Sequence, residues 1–143
     1  MALNGLEGVV EVRNESVGTG RGGACPAAGA PRWTGLQGSA DLHMAELAAA
    51  LPLDCFIRPL KYVDIVKVHV GHGGELAVLE GLLESLHTRR VGIVIVRSTA
   101  PLAEFEAFAA RHGLEYIVRG ILNDKGRDAL LVDSTVFDST TGF

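Results

Sequence analysis

The pattern of apolar and polar positions changes near residue 40, and the predicted elements lie mostly beyond it. Leu42 to Leu51 (LHMAELAAAL) reads as a short helix stopped by Pro52. Val63 to Val70 (VDIVKVHV) is rich in β-branched residues and bounded by Gly71, which predicts a strand. Glu75 to Leu86 places Leu76, Leu79, Leu82, Leu83 and Leu86 at helical spacing. Glu75 at its start and His87, Arg89 and Arg90 at its end suit the helix dipole. Val91 to Arg97 (VGIVIVR) is a continuous apolar run, the pattern of a strand buried on both faces of a parallel sheet.

Ser98 and Thr99 are capping residue types, and Pro101 suits a first helical turn. Leu102 to His112 then reads as a helix with Gly113 as its stop. Leu114 to Ile121 and Ala129 to Phe137 read as the last two strands, around the turn signal Asn123-Asp124-Lys125-Gly126. That turn is too short for a crossover helix, so the two strands pair antiparallel. The order β-α-β-α-β-β predicts an α/β fold, with parallel strands, crossover helices and a C-terminal antiparallel hairpin. Right-handed crossovers put helices 75–87 and 101–112 on one face if the strands step in one direction.

Before residue 40 the pattern dissolves. Residues 14–40 are dense in Gly, Ala, Pro, Ser and Thr, with Trp33 as the one large anchor, and read as a long loop. Gly8 to Arg13 (GVVEVR) has the make-up of a short strand. The chain therefore divides into 1–39, a strand plus a Gly/Ala/Pro-rich loop, and 40–143, the α/β domain.

Composition narrows the function classes. The 143 residues hold 13 Lys and Arg against 17 Asp and Glu, a net charge of −4, with no basic stripe. Nucleic acid is a poor partner for such a chain, because phosphate neutralisation needs clustered Lys and Arg. No apolar run approaches the ~20 residues that span a bilayer. Met1 to Val10 lacks a basic n-region and already carries Glu7, so it does not read as a secretory signal. Cys25 and Cys55 make no disulfide framework and read as ordinary thiols, which favours a reducing, intracellular setting, cytoplasmic or organellar. Aromatics are only 6% of the chain, so Ala, Val, Leu and Ile must fill the core.

Candidate chemistry gathers where the strand 63–70 ends. His69-x-x-His72, with His43 or Asp64 nearby in the reading, has the residue types of a metal site. Side chains three apart at a strand exit need not converge, and no Cys pair supports them, so no metal is assigned. The carboxyl end of a parallel strand is where α/β sheets bind ligands. His69, Gly71, His72, Glu75 and Ser98 are accordingly the crevice candidates, although helix capping is the plainer role for Ser98. Lys67 reads as structural, pairing with Asp64 or a neighbouring loop, and Arg89-Arg90 as a solvated helix end. Gly18 to Gly23 does not lead from a strand into a helix and so fails as a cofactor loop.

The segment VDIVKVHVGHGGELAVLEG, Val63 to Gly81, resembles the central signature of FkbM-type methyltransferases. Asp64, Lys67, Glu75, Val78, Leu79 and Gly81 fall in place. Val9 to Gly18 looks like the family's third strand, and His43 to Leu47 echoes its Thr-Leu-Asp-Asp-Leu segment. The resemblance implies the back half of an S-adenosylmethionine-dependent Rossmann-like fold, whose full sheet order is 3-2-1-4-5-7-6. It also implies that the glycine-rich cofactor loop and the ribose-binding acid lie upstream of residue 1. The family's Asp and Glu at the strand end are here His69 and Gly71, with one residue inserted before Glu75, which removes charge from the site. Without strands 1 and 2, strand 63–70 becomes an apolar edge, and such edges invite pairing.

Three functions follow as expectations. The first is a non-catalytic derivative, an interaction or assembly subunit that meets a protein partner or a second copy through edge strand 63–70. The second is an active methyltransferase completed by a partner chain, moving a methyl group from S-adenosylmethionine to a small-molecule or sugar hydroxyl, with His69 or His72 as base by position. The third is a small-ligand binding module using the crevice.

Overall fold

The computed structural model describes Val9, residues 17–19, Cys25, and residues 51–70, 73–123 and 126–136. Among the described residues ten elements follow in chain order: β1 Val17–Gly18, β2 Leu51–Pro52, α1 Asp54–Ile57, β3 Val63–Val68, α2 Glu75–Glu80, α3 Leu83–His87, β4 Val91–Arg97, α4 Leu102–Arg111, β5 Tyr116–Asn123 and β6 Gly126–Asp133. The fold is α/β, and its main sheet is mixed. Strand order is β3-β4-β6-β5, with β3 and β4 parallel and β6 antiparallel to both β4 and β5. A second, two-stranded sheet pairs β1 and β2 in parallel, Val17 opposite Leu51 and Gly18 opposite Pro52.

The antiparallel hairpin forms, but its strands are Tyr116–Asn123 and Gly126–Asp133 instead of 114–121 and 129–137: the ladder runs on to Asn123 opposite Gly126, and residues 134–136 turn where a strand was expected. β6 returns between β4 and β5, so parallel pairing in the main sheet is confined to β3 and β4. Among the described strands, β3 and β5 are its edges.

The core lies on one face. Val66 and Val68 of β3 share a face with Val94 and Val96 of β4 and with Ala129 and Leu131 of β6. Most of these are fully buried and join Val78, Leu79, Leu82 and Leu86 from α2, α3 and their junction, and Phe105 and Phe108 from α4, in one cluster. Each such fully buried Val, Leu or Phe contributes roughly 1.5–3 kcal/mol. The opposite face of β4, Ile93 and Ile95, is only half-buried. The apolar run of β4 is thus buried fully on one side, not on two.

Several local expectations change. The helix predicted over 75–86 is two helices, because the chain bends at Gly81 and Leu82. A Cβ on Gly81 would collide with the Gly18 carbonyl oxygen, so β1 lies directly against the end of α2. Val17 and Gly18, a loop by composition and the end of a strand by the resemblance, form a strand because they meet β2 there. Leu51 is the start of β2 instead of a helix end, and the rest of the predicted helix 42–51 lies outside the described residues, as does the strand 8–13 apart from Val9. Pro101 is extended (φ −60°, ψ 147°) and sits just before α4.

Helix ends follow backbone chemistry. Gly113 takes φ +61° after α4, and Leu114 N–H closes the turn on the Ala109 carbonyl at 2.9 Å. After α3 the same left-handed position falls to Arg89, φ +52°, where Arg90 N–H bonds the Ser85 carbonyl at 2.9 Å. A non-glycine residue pays roughly 1–2 kcal/mol for that conformation. Arg89 offsets this by pairing with Glu115 and approaching the buried Asp133 at 4.0 Å, so it is tied down. Arg90 donates to the Arg58 carbonyl at 3.2 Å.

Candidate functional site

Parallel strands β3 and β4 deliver their carboxyl ends to the same edge of the domain, and of the crevice candidates His69, Glu75 and Ser98 are described there. β3 ends at Val68, which is buried, and His69 beyond it is exposed. Gly71 and His72 lie outside the described residues. Gly73 takes φ +78° and Gly74 precedes α2, which carries Glu75 as its first residue. Glu75 is 4% exposed, although its side chain is a carboxyl group.

The structure brings Glu75 and Ser98 together. Ser98 follows β4, and its hydroxyl donates to Glu75 Oε2 at 3.2 Å while accepting from Ala100 N–H at 3.1 Å. The second bond is a local serine turn before α4; the N-cap of α4 is Pro101 with no side-chain cap bond, so the capping role expected of Ser98 is not what it performs. Arg97, the last residue of β4, faces Asp128 of β6 in register. Its guanidinium meets that carboxylate at two points, 3.1 and 3.4 Å. Arg97, Asp128 and Glu75 therefore each have a partner within the domain. The cluster can hold strand ends and loops in place; the Ser98 oxygen is engaged on both sides and is poorly placed to act as a nucleophile. Among the described residues no group of three or more His, Cys, Asp or Glu side chains could hold a metal ion.

A second polar cluster was not foreseen. Cys25 and Cys55 are joined in a disulfide, their Cα atoms 5.3 Å apart, so they are not the ordinary thiols the sequence suggested. Bonded sulfurs withdraw the argument from free thiols for a reducing compartment. The bond fixes the Cys25 position to α1. Next to Cys55, Asp54 is 7% exposed and reaches across to the start of α3. Its Oδ2 accepts from Glu84 N–H at 2.9 Å, and its Oδ1 accepts from Ser85 N–H at 2.9 Å and from the Ser85 hydroxyl at 2.5 Å. Leu82, which precedes α3, has no side chain able to cap it, so Asp54 does so from 28 residues away by subtraction of the two numbers.

Arg58 completes this cluster. Its guanidinium grips Glu84 with Nε at 3.1–3.2 Å and Nη2 at 2.5 Å, and Nη1 donates to Cys25 Sγ at 3.1 Å. The hydrogen bond and charge of Glu84 raise the Arg58 pKa, and Arg58 lowers that of Glu84. Both side chains are about half exposed, so solvent screens the pair. No sequence pattern announces the cluster, because Asp54, Glu84 and Cys25 lie about thirty residues apart; only the acid directly after Pro52-Leu53, a helix-starting residue type, hinted at it.

At the other end of the sheet, the Tyr116 hydroxyl donates to the Val91 carbonyl. Burial pushes its pKa well up, Asp133 and Tyr62 add to the shift, and Arg89 opposes it. Asp133 accepts from Thr135 N–H at 2.9 Å and from its hydroxyl at 2.8 Å, closing the turn after β6.

No family model, curated protein or solved structure matches this chain. Among the described residues no helix is long and apolar enough to cross a membrane.

Proposed function

We propose that this chain is a methyltransferase-like domain of the FkbM type that serves as an interaction or assembly subunit and does not itself transfer methyl groups. The observation that carries the reading is edge strand β3. Ile65 on it is 56% exposed, flanked by Tyr62 and Val70, which are also exposed. Among the described residues no strand pairs with the outer side of β3, and such an apolar margin is a template for an added strand. Asp64 and Lys67, both exposed, interrupt the margin and restrict which strands fit it. The order β3-β4-β6-β5 supports the reading as well, since it has the form of the 4-5-7-6 portion of the sheet that the resemblance implies.

The crevice favours the non-catalytic form. Where the resemblance implies strand-end carboxylates, this chain has His69 and Gly71, and Glu75 is bound to Ser98. The test pairs two measurements on the full chain. Light scattering after size exclusion, with and without proteins from the native source, should show association that Ile65→Lys abolishes. Calorimetric titration with S-adenosylmethionine should give no heat. Micromolar binding would replace this reading with the active enzyme completed by a partner chain, and a monomer indifferent to Ile65→Lys in both settings would remove the interaction role.

A further inference from the structure

The geometry points to the Cys25–Cys55 disulfide as a redox latch that holds β1 against the α/β core and opens by expelling Cys25 as the leaving thiolate. Two observations carry this, and neither depends on the methyltransferase-like reading.

The first is how short a ladder holds β1 among the described residues. Its ladder with β2 is two residues long, and one of its four members is Pro52, which has no N–H to give. Val17 is packed against the core, and Gly18 touches Gly81. The disulfide joins Cys25, seven positions beyond Gly18 by number, to Cys55 on α1. α1 is itself anchored through the three bonds of Asp54 to α3. The main sheet, by contrast, is zipped by five register pairs between β4 and β6 and eight between β5 and β6. Breaking the S–S bond removes the covalent tether of the weak sheet and leaves the strong one untouched.

The second is the asymmetry of the two sulfurs. Arg58 Nη1 donates to Cys25 Sγ, and Cys25 is the sulfur that carries this contact. A guanidinium stabilises a departing thiolate, and the better-stabilised thiolate is the better leaving group. A small-molecule thiolate therefore attacks Cys55 Sγ. A new S–S bond forms there, the old one breaks, and its electron pair leaves on Cys25 Sγ. A second thiol of the reductant attacks the mixed disulfide, forms the reductant's own disulfide and frees the Cys55 thiolate. The two protein sulfurs take up two electrons and two protons; the two reductant thiols lose them.

The oxidised full chain is treated briefly with glutathione, quenched in acid, digested and mapped by mass spectrometry. The glutathione adduct is expected on Cys55 over Cys25 by about tenfold. Arg58→Gln should erase that preference and slow reduction severalfold. Hydrogen exchange then compares oxidised chain, reduced chain and the double variant Cys25→Ser/Cys55→Ser. Amides of β1 should exchange about tenfold faster in the last two, with those of β4 within about twofold. Equal adducts or an adduct on Cys25 would overturn the assignment of the leaving group. Unchanged β1 exchange on reduction, or a matching acceleration in β4 that marks global unfolding, would overturn the latch.

Discussion

Asp54→Ala is the sharpest probe of how this fold is held, because one carboxylate satisfies three donors on a helix that cannot cap itself. Removing it orphans Glu84 N–H, Ser85 N–H and the Ser85 hydroxyl, and Ser85 is 2% exposed, so water replaces the carboxylate poorly. Loss of a helix cap costs about 0.5–2 kcal/mol. Bonds to a charged acceptor are worth about 1.5–3 kcal/mol each, and a buried donor left unpaired costs about 1–3 kcal/mol. These overlap and do not sum; water reaching the more exposed Glu84 recovers part, which leaves about 3 kcal/mol for Asp54→Ala. Asp54→Asn keeps one carbonyl acceptor and should cost about half as much.

Ser85→Ala alone removes one of three donors and leaves the carboxylate with both backbone bonds, about 1 kcal/mol. In the Asp54→Ala background the same change deletes an already orphaned hydroxyl, so it should cost nothing. The coupling is then about 1 kcal/mol. Urea unfolding of the oxidised proteins at neutral pH, followed by circular dichroism, measures all four corners of this cycle. A loss below about 0.5 kcal/mol for Asp54→Ala, or strict additivity in the double variant, would refute the remote cap.

Three other outcomes follow from the same structure. Tyr116→Phe loses the bond to the Val91 carbonyl and should destabilise by about 1 kcal/mol in the same urea assay. Because the folded tyrosine titrates above its ordinary value of 10.0, its contribution is whole below that pH and falls as pH rises beyond it; an alkaline titration of stability should show a slope that Tyr116→Phe flattens. Gly81→Ala drives a methyl into the Gly18 carbonyl and should cost about 2 kcal/mol, with accelerated hydrogen exchange in β1 and little change in β6. Ile65→Lys, at an exposed edge position, should leave stability within about 0.5 kcal/mol while removing association, read by urea unfolding and light scattering.

Local chemistry was legible wherever a signal and its partner lie close in the chain. β-branched runs marked β3 and β4, the Asn123–Gly126 turn marked the β5–β6 hairpin, and Gly113 marked the end of α4, because each depends on backbone preferences within a few residues. Glu75 and Ser98 were singled out separately for the same reason: one begins a helix, the other ends a strand. That they bond each other, and that Arg97 meets Asp128, depends on β4 lying between β3 and β6, a placement no single segment encodes.

Tertiary structure decided what crosses the chain. The break between α2 and α3 is invisible in a leucine pattern that runs through it, and arises where Gly81 must admit β1 and where Asp54 claims the first N–H groups of α3. The disulfide belongs to the same class, since two cysteines with a sequence separation of 30 reveal pairing only when folding brings their Cα atoms within bonding reach. Hydrophobic periodicity acts over a few residues and so can be read along a line. Hydrogen bonds, ion pairs and sulfur–sulfur bonds between distant segments exist only after the sheet has set those segments side by side.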